Sequence, residues 1–524
     1  MKNSLLCLAT ACLLFSYQTG YSAQESGTVS LEAEANEQLL LQGHRYYNSK
    51  IYDKAFRIYE TLAKQNMADA EYSFGLMYLQ GLGTPKNTEL AFQWIKKAAE
   101  AKKADAQYQI GDLYASGTGV IRDPDQAIAW YQQAADQHQP QAEYALGMIY
   151  YEGTITEKND TKAIALLTPF AEQGNARAQY ILGTVYLNSE TVPLNPEQAI
   201  RWLTAAAEQN NIAAQLQLGY LYDKGLGVKE NPYAAAHWYE LAAQADNMEA
   251  KYLLGKLYYT GRGVDQDNAQ AASLLMTAAS AQNADAAGIL GQLYFEGKGV
   301  PLDYQEAAKW LTISANHQDP ESTYLLAKLY LDGQGVEKNP EKAIQLFTIS
   351  AQKNNADAAN MLGYLYHNGI GTEVNDTEAV RYYTIAANQG IATAAYMLGI
   401  LHQNGLGTVQ DLTEATQWYE KAAYAGIANA QLQLGMLYVQ GKAIATDDLT
   451  AYAWLTIAAT TNHPEIHASA AQMRALLQEK LTPEELKQAQ DLAKKMYANV
   501  KTPPVGTIQY QEHAAPTAEN KASK

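Results

Sequence analysis

The sequence predicts an all-α protein, a solenoid of stacked helix pairs with a 36-residue period. Three observations predict it. Positions 36 apart, from Gly75 through Gly111 and Gly147 to Gly435, hold glycine in ten cases of eleven, with Ala327 the exception and no insertion between them. An Asn or Asp follows every anchor twelve residues later, from Asn87 to Asp447. Alanine follows sixteen and twenty-four residues later, from Ala91 to Ala451 and from Ala99 to Ala459. Self-similarity at such a period marks an array in which each unit covers its neighbour's apolar face.

Each slot has a physical role. Before the anchor, Ala at −5, an apolar residue at −1, glycine at 0 and Tyr at +3 share one helical face and define helix A. Glycine recurs at +6 in ten repeats, as in Gly117-Thr118-Gly119-Val120, which predicts a turn with positive φ. The Asn or Asp at +12 is a helix N-cap, followed by Pro at 124, 196, 232 and 340, where proline suits the first turn. After it, Ala at +16, Trp or another large residue at +19, an apolar residue at +20 and Ala at +24 form the stripe of helix B. All seven tryptophans occupy the +19 slot. An isolated pair cannot bury these stripes, so the pairs must stack.

The run from Ala106 to Ala135 resembles the Sel1-like repeat family, a branch of the tetratricopeptide superfamily. The resemblance covers eleven units over residues 71–463 and implies a right-handed α/α solenoid. Upstream, Gly43, Tyr46, Ala55 and Tyr59 have the shorter turn of an ordinary tetratricopeptide repeat, so 37–70 reads as an N-terminal capping repeat. Downstream, residues 464–500, with the run Leu481-Thr482-Pro483-Glu484-Glu485-Leu486, read as capping helices. Residues 24–36 and 501–524 are polar and read as disordered. Repeats 3 and 4 depart from the pattern: Ile155, Ser189 and Thr191 replace turn glycines, and Pro169-Phe170 interrupts helix B of repeat 3.

Residues 1–23 read as a secretory signal peptide, with Lys2, an apolar core from Leu5 to Phe15 and a small-residue exit. Ala9-Thr10-Ala11-Cys12 faintly resembles a lipobox, but apolar Leu13 to Phe15 follow, which disfavours lipid anchoring. Both cysteines, Cys7 and Cys12, lie in the leader, so the mature chain holds no thiol. The expected location is periplasmic or secreted. The net charge of −17 becomes more negative once Lys2 leaves, which argues against nucleic-acid partners and an anionic membrane surface. No other segment has the length of a membrane span.

Catalytic signals are sparse. His463 and His467 have zinc-binding spacing but no third ligand. Ser350-Ala351-Gln352-Lys353 matches the S-x-x-K of penicillin-recognising enzymes, yet Ser350 occupies the +23 slot, otherwise mostly Ala, and the companion motifs are absent. The G-x-G runs recur as turns and precede no strand. The sequence therefore points to no catalysis, no cofactor and no metal.

A composition of 38 Tyr beside 7 Phe follows mostly from the repeat, through the slots at −3, +3 and +20. In the resembling superfamily helix A lines a concave groove, and here the slots at +1 and +4 vary most. They hold Tyr151, Tyr220, Tyr259, Phe295, Tyr364 and His367, with Asp112, Asp223 and Lys256 interspersed. Aromatic rings with scattered polar groups suit a protein or peptide partner, or the rings of a glycan. The expectation is a non-catalytic exported scaffold for protein–protein interaction. For a bacterial member the resemblance implies envelope maintenance, exopolysaccharide assembly or host contact and virulence. A periplasmic modulator of a peptidoglycan-processing enzyme or a glycan binder stays open, and a penicillin-recognising hydrolase is a remote alternative.

Overall fold

The computed structural model describes residues 31–441 and 446–501. Among these residues there are 26 α-helices and no strand. Residues 1–23, expected to form a signal peptide, and the tail after Lys501 lie outside the described residues. Contacts divide the chain into two compact units, Met1–Ala214 and Gln215–Lys524.

In the first unit, α1 (Leu31–Asn48) and α2 (Tyr52–Ala63) form a short-turned pair. Residues 31–36 are helical, which corrects that part of the linker expected over 24–36, while 24–30 lie outside the described residues: Leu31 to Ala35 are strong helix formers and continue directly into the helix that buries Leu40. A Cβ on Gly43 would stand 2.8 Å from the ring of Tyr59, the same close approach that the later anchors make. Four repeats follow as A/B pairs: α3 (Ala68–Gln80) with α4 (Thr88–Glu100), α5 (Ala104–Ser116) with α6 (Pro124–Ala135), α7 (Pro140–Glu152) with α8 (Asp160–Glu172), and α9 (Ala176–Asn188) with α10 (Pro196–Ala207). Helix α11 (Ile212–Lys224) begins repeat 5.

The second unit continues with α12 (Pro232–Gln244), then α13 (Met248–Thr260) with α14 (Asn268–Ser280), α15 (Ala284–Glu296) with α16 (Tyr304–Asn316), and α17 (Pro320–Asp332) with α18 (Pro340–Gln352). Next come α19 (Ala356–Asn368) with α20 (Asp376–Asn388), α21 (Ala392–Asn404) with α22 (Leu412–Tyr424), and α23 (Ala428–Gln440) with α24 (Asp448–Ala458). Helices α25 (Pro464–Lys480) and α26 (Pro483–Tyr497) pack on α24. They bury Ala470, Leu477, Ala489 and Met496, and Thr482 and Glu485 form a capping box at the start of α26.

The anchor glycine is required by packing. A Cβ on Gly75 would lie 2.6 Å from Ile95 Cγ1, and one on Gly291 2.7 Å from Leu311 Cγ. Helix A therefore presses its backbone onto the +20 side chain of helix B, and every +16 alanine from Ala91 to Ala451 is fully buried beside that contact. Each +12 residue caps its helix: Asn87 Oδ1 accepts from Leu90 N at 3.0 Å, and Asp123 Oδ1 from Gln126 N at 3.1 Å. The N–H of that cap donates in turn to the +3 carbonyl, as Asn87 does to Tyr78 at 3.0 Å, which fixes the span of the turn. Glycine at +6 takes positive φ, 73° at Gly81 and 72° at Gly117.

Repeats are also joined by polar groups that the pattern does not announce. Gln107 Nε2 donates to Ala99 O at 3.2 Å, Gln179 to Ala171 O at 2.9 Å and Gln431 to Ala423 O at 3.0 Å. Each buried side chain at −4 satisfies a carbonyl at the end of the previous helix B.

Candidate functional site

In the second unit, helices A of successive repeats touch directly, α13 with α15, α15 with α17 and α19 with α21. No two of its helices B approach as closely, so helices A line the tighter side of the stack. Slots +1 and +4 are three residues apart and share a face. Seven of the nine candidate residues belong to this unit; Asp112 and Tyr151 belong to the first.

Tyr220 on α11 is the most accessible of the candidate aromatics, 48% exposed. Lys256 is exposed, with its Nζ 6.0 Å from the Tyr252 ring centroid. Tyr259 is half-buried, and its phenol is pushed up first by burial and then by Glu296. Phe295 stands 5.8 Å from the Tyr304 ring, and Lys328 Nζ lies 5.3 Å from Phe295 and 5.7 Å from Tyr324. Tyr364 is half-buried one repeat further on. Tyr259, Phe295 and Lys328 thus occupy three consecutive helices A.

The remaining candidates are committed inside the protein. Asp223 is buried and ion-paired to Arg262, with Lys224 Nζ at 2.9 Å. Arg262 also reaches Glu230 at 2.7 Å. His367 Nδ1 lies 2.6 Å from Asp376 Oδ1. In the first unit, Asp112 Oδ1 accepts from the Tyr131 hydroxyl at 2.6 Å. Burial raises the Asp112 carboxyl above its ordinary range, while hydrogen bonds from Tyr131 and Tyr108 pull it back. Each of these polar groups satisfies the scaffold, which slot variability alone does not distinguish from presentation to a ligand.

Tyr151 lines a cleft of about 270 Å³ with Glu152, Lys158, Asn188 and Ser189. Lys158 Nζ stands 6.0 Å from its ring and 3.4 Å from Asp160 Oδ1. Lys328 was missed in the sequence, although it fills the same +1 slot as Lys256.

The constant tyrosines are structural. Three of those at −3 meet the aromatic residue at +20 of their own helix B: Tyr108 lies 5.8 Å from Tyr131, Tyr324 5.7 Å from Phe347 and Tyr396 5.9 Å from Tyr419. Three of the +3 phenols meet side chains: Lys162 Nζ donates to Tyr150 at 3.4 Å, Lys342 Nζ donates to Tyr330 at 2.6 Å, and Tyr438 donates to Glu420 at 3.3 Å.

Ser350 is fully buried, and its hydroxyl donates to Pro320 O at 2.6 Å. His467 Nδ1 is held 2.6 Å from Ala459 O. Among the described residues no group of three or more His, Cys, Asp or Glu side chains has a metal-binding arrangement, and no helix is long and apolar enough to cross a membrane.

The Sel1 repeat family model matches eleven consecutive segments, from residues 68–103 to 428–463. A protective antigen of uropathogenic Escherichia coli displaying an SLR fold is 32% identical. The match covers 85% of this chain and 95% of that one, with a TM-score of 0.71. A Sel1 repeat protein from Oxalobacter formigenes is 30% identical over 59% of this chain and 90% of that one, with a TM-score of 0.48. No curated protein matches the chain. With helix pairs in register over eleven units, anchor glycines in van der Waals conflict with any side chain and a family model spanning most of its length, this chain belongs to the Sel1 repeat family.

Proposed function

We propose that this protein is an exported, non-catalytic scaffold that holds a protein or peptide partner along helices A of its second unit. A Sel1-repeat scaffold is typical of protein–protein interaction, and its role here would lie in the bacterial envelope or in contact with a host. The observation that carries the proposal is Tyr220, a tyrosine 48% exposed on a helix whose fixed slots are buried, in line with partly exposed rings on α13, α15 and α19. Large amphipathic rings at variable positions of a rigid wall are what interaction hot spots use.

The leader-like N-terminus and the likeness to a protective antigen support export. The peptide reading is favoured over the glycan reading because Lys328 already lies over the ring of Phe295, where a sugar would stack. Crosslinking on intact cells followed by mass spectrometry tests the proposal. The expected result is an adduct between an envelope or host protein and residues near Tyr220, lost in Tyr220→Ala with an unchanged melting temperature. Crosslinks confined to helices B, or capture unchanged in Tyr220→Ala, would refute it.

A further inference from the structure

The joint between repeats 3 and 4 opens a cleft of about 270 Å³ within the first unit. Tyr151, Glu152 and Lys158 of repeat 3 line it, together with Val185, Asn188 and Ser189 of repeat 4. This is the place where the repeat loses its turn glycines, to Ile155 in repeat 3 and to Ser189 and Thr191 in repeat 4.

Two of the lining residues touch Asp160, the first residue of α8, which is 2% exposed. Ser189 donates to its Oδ2 at 2.7 Å, whereas its Oδ1 has no hydrogen-bond partner among the described residues. Lys158 Nζ approaches that oxygen only to 3.4 Å, beyond the usual range for a hydrogen bond. A buried carboxylate oxygen left in this state is costly until a donor reaches it.

The fixed charge of the cleft is negative. Asp160 is anchored by burial and by Ser189, while the neighbouring cations sit on long, solvated side chains. Those of Lys158 and Arg177 are 52% and 65% exposed, and Arg177 Nη2 stands 3.8 Å from Glu152 Oε1. Neither cation therefore hydrogen-bonds its carboxylate. Lys158 Nζ also lies 6.0 Å from the ring centroid of Tyr151. The chain's own ammonium thus stands between a buried carboxylate and an aromatic ring, two groups that both attract a cation. The Tyr151 phenol is pushed up by burial, then by Tyr180, Asp160 and Glu152, so this ring lies in the field of both acids.

Size and shape narrow the occupant. Whole small molecules occupy roughly 300–1,000 Å³, so this smaller cleft suits a single side chain. An ammonium is a point charge. A guanidinium is a planar fork whose donors can serve two carboxylates while its face stacks on a ring.

We infer that this cleft receives an arginine side chain of a protein partner. The guanidinium takes the place of the Lys158 ammonium, donates to Asp160 Oδ1 and to Glu152, and lies against the ring of Tyr151. Lys158, already half in solvent, swings out, so one cation is exchanged for another and the buried oxygen gains a donor. The site shares no residue with the strip on the second unit and does not rest on that reading.

The test uses the whole protein and saturation-transfer NMR on an acetylated Gly-Ser-Arg-Ser-Gly peptide, beside versions with citrulline, lysine or glutamate at the centre. Saturation is expected on the arginine side chain, with binding at least about fivefold tighter than for lysine and none measurable for citrulline. Affinity should fall as salt rises. Glu152→Gln should weaken binding at least about threefold at an unchanged melting temperature, and Tyr151→Leu should weaken it by removing the ring. Lys158→Ala should strengthen binding, because the internal competitor is gone. A lysine that merely supported the cleft would leave binding unchanged or weaker when removed. Asp160→Asn should abolish binding, and if that variant misfolds, Glu152→Gln and Lys158→Ala carry the test. Equal saturation of the citrulline peptide, preference for the glutamate peptide, or binding not strengthened in Lys158→Ala would overturn the inference.

Discussion

Ser189 donates its hydroxyl to Asp160 Oδ2 at 2.7 Å, across the joint between repeats 3 and 4. In eight repeats the +8 slot of this joint is glycine: Gly119 lies so close to the carbonyl of Thr88, first residue of the preceding helix B, that no Cβ fits. Repeat 4 has Thr191 at that slot and Asp160 at the start of the preceding helix B. Its turn takes another course. Ser189 is extended at φ −68° and ψ 138°, and its Oγ accepts from Thr191 N at 3.1 Å and Val192 N at 2.9 Å. A hydrogen-bonded turn replaces a glycine turn, which explains the departure of repeat 4; in repeat 3 helix B runs through Pro169 without the interruption the sequence suggested.

The Asp160–Ser189 contact is therefore expected to be energetic as well as geometric. Asp160 is 2% exposed, so removing its partner leaves a buried carboxylate less well satisfied. A double-mutant cycle with Asp160→Ala and Ser189→Ala, read by urea unfolding, should give a coupling of about 1.5–3 kcal/mol, the range for hydrogen bonds to charged groups. Additive effects would mean that the turn holds without this bond.

The anchor glycines predict a substitution that runs against helix propensity. Gly→Ala inside a helix ordinarily stabilises by about 1 kcal/mol. In Gly291→Ala the new methyl meets Leu311 Cγ at 2.7 Å, and the expected result is a net loss of about 1–3 kcal/mol from overpacking. A melting temperature at or above the parent's would contradict this. Repeat 8, with Ala327 against Phe347, carries the only natural Cβ at the anchor, so Ala327→Gly should leave a small void rather than relieve strain.

A stabilising change is available where helix B ends. Lys102, His138 and Gln318 hold φ of 65°, 59° and 65° at a slot that repeats 3, 9 and 10 fill with Gly174, Gly390 and Gly426. Left-handed backbone costs an L-residue roughly 1–2 kcal/mol. Lys102→Gly should therefore raise the melting temperature, its relief exceeding the entropy glycine adds to the unfolded chain. A fall in thermal unfolding midpoint would show that Lys102 contributes more through its side chain.

Asp112 predicts a pH dependence. Its folded carboxyl is raised above the unfolded value, chiefly by burial. A folded state that holds the proton more tightly is favoured at low pH, and that advantage is lost as pH rises from the unfolded value through the folded one. Asp112→Asn keeps a carbonyl to accept from Tyr131 and cannot ionise. It should match the parent at pH near 3 and gain stability relative to it above the carboxylate range. Parallel stability curves over that interval would exclude ionisation of Asp112 as a cost.

Much of the fold is legible as periodicity, because caps, turns and close-packed glycines are local demands that recur every 36 residues. Asn87 caps Leu90 and Gly81 turns left-handed wherever those residues fall in the unit. The helicity of residues 31–36 was not legible, since a polar N-terminal helix looks like a linker until Leu40 finds its core. The candidate strip was only partly legible. Variability marked Tyr220, Tyr259 and Phe295, but it marked Asp112, Asp223 and His367 equally, and these are bound by Tyr131, Arg262 and Asp376.

Sequence order alone thus settled the unit, the family pattern and the alternation of helices, each set by interactions that recur at fixed spacing within one repeat. What required the packed molecule was the commitment of each variable polar group. Tyr131 lies 19 residues from Asp112, Arg262 39 from Asp223 and Asp160 29 from Ser189. Whether such a side chain is a scaffold bond or a free contact depends on what the folded stack brings against it. Slot numbers do not carry that information, because side chains at one slot differ in reach and in the neighbours that satisfy them.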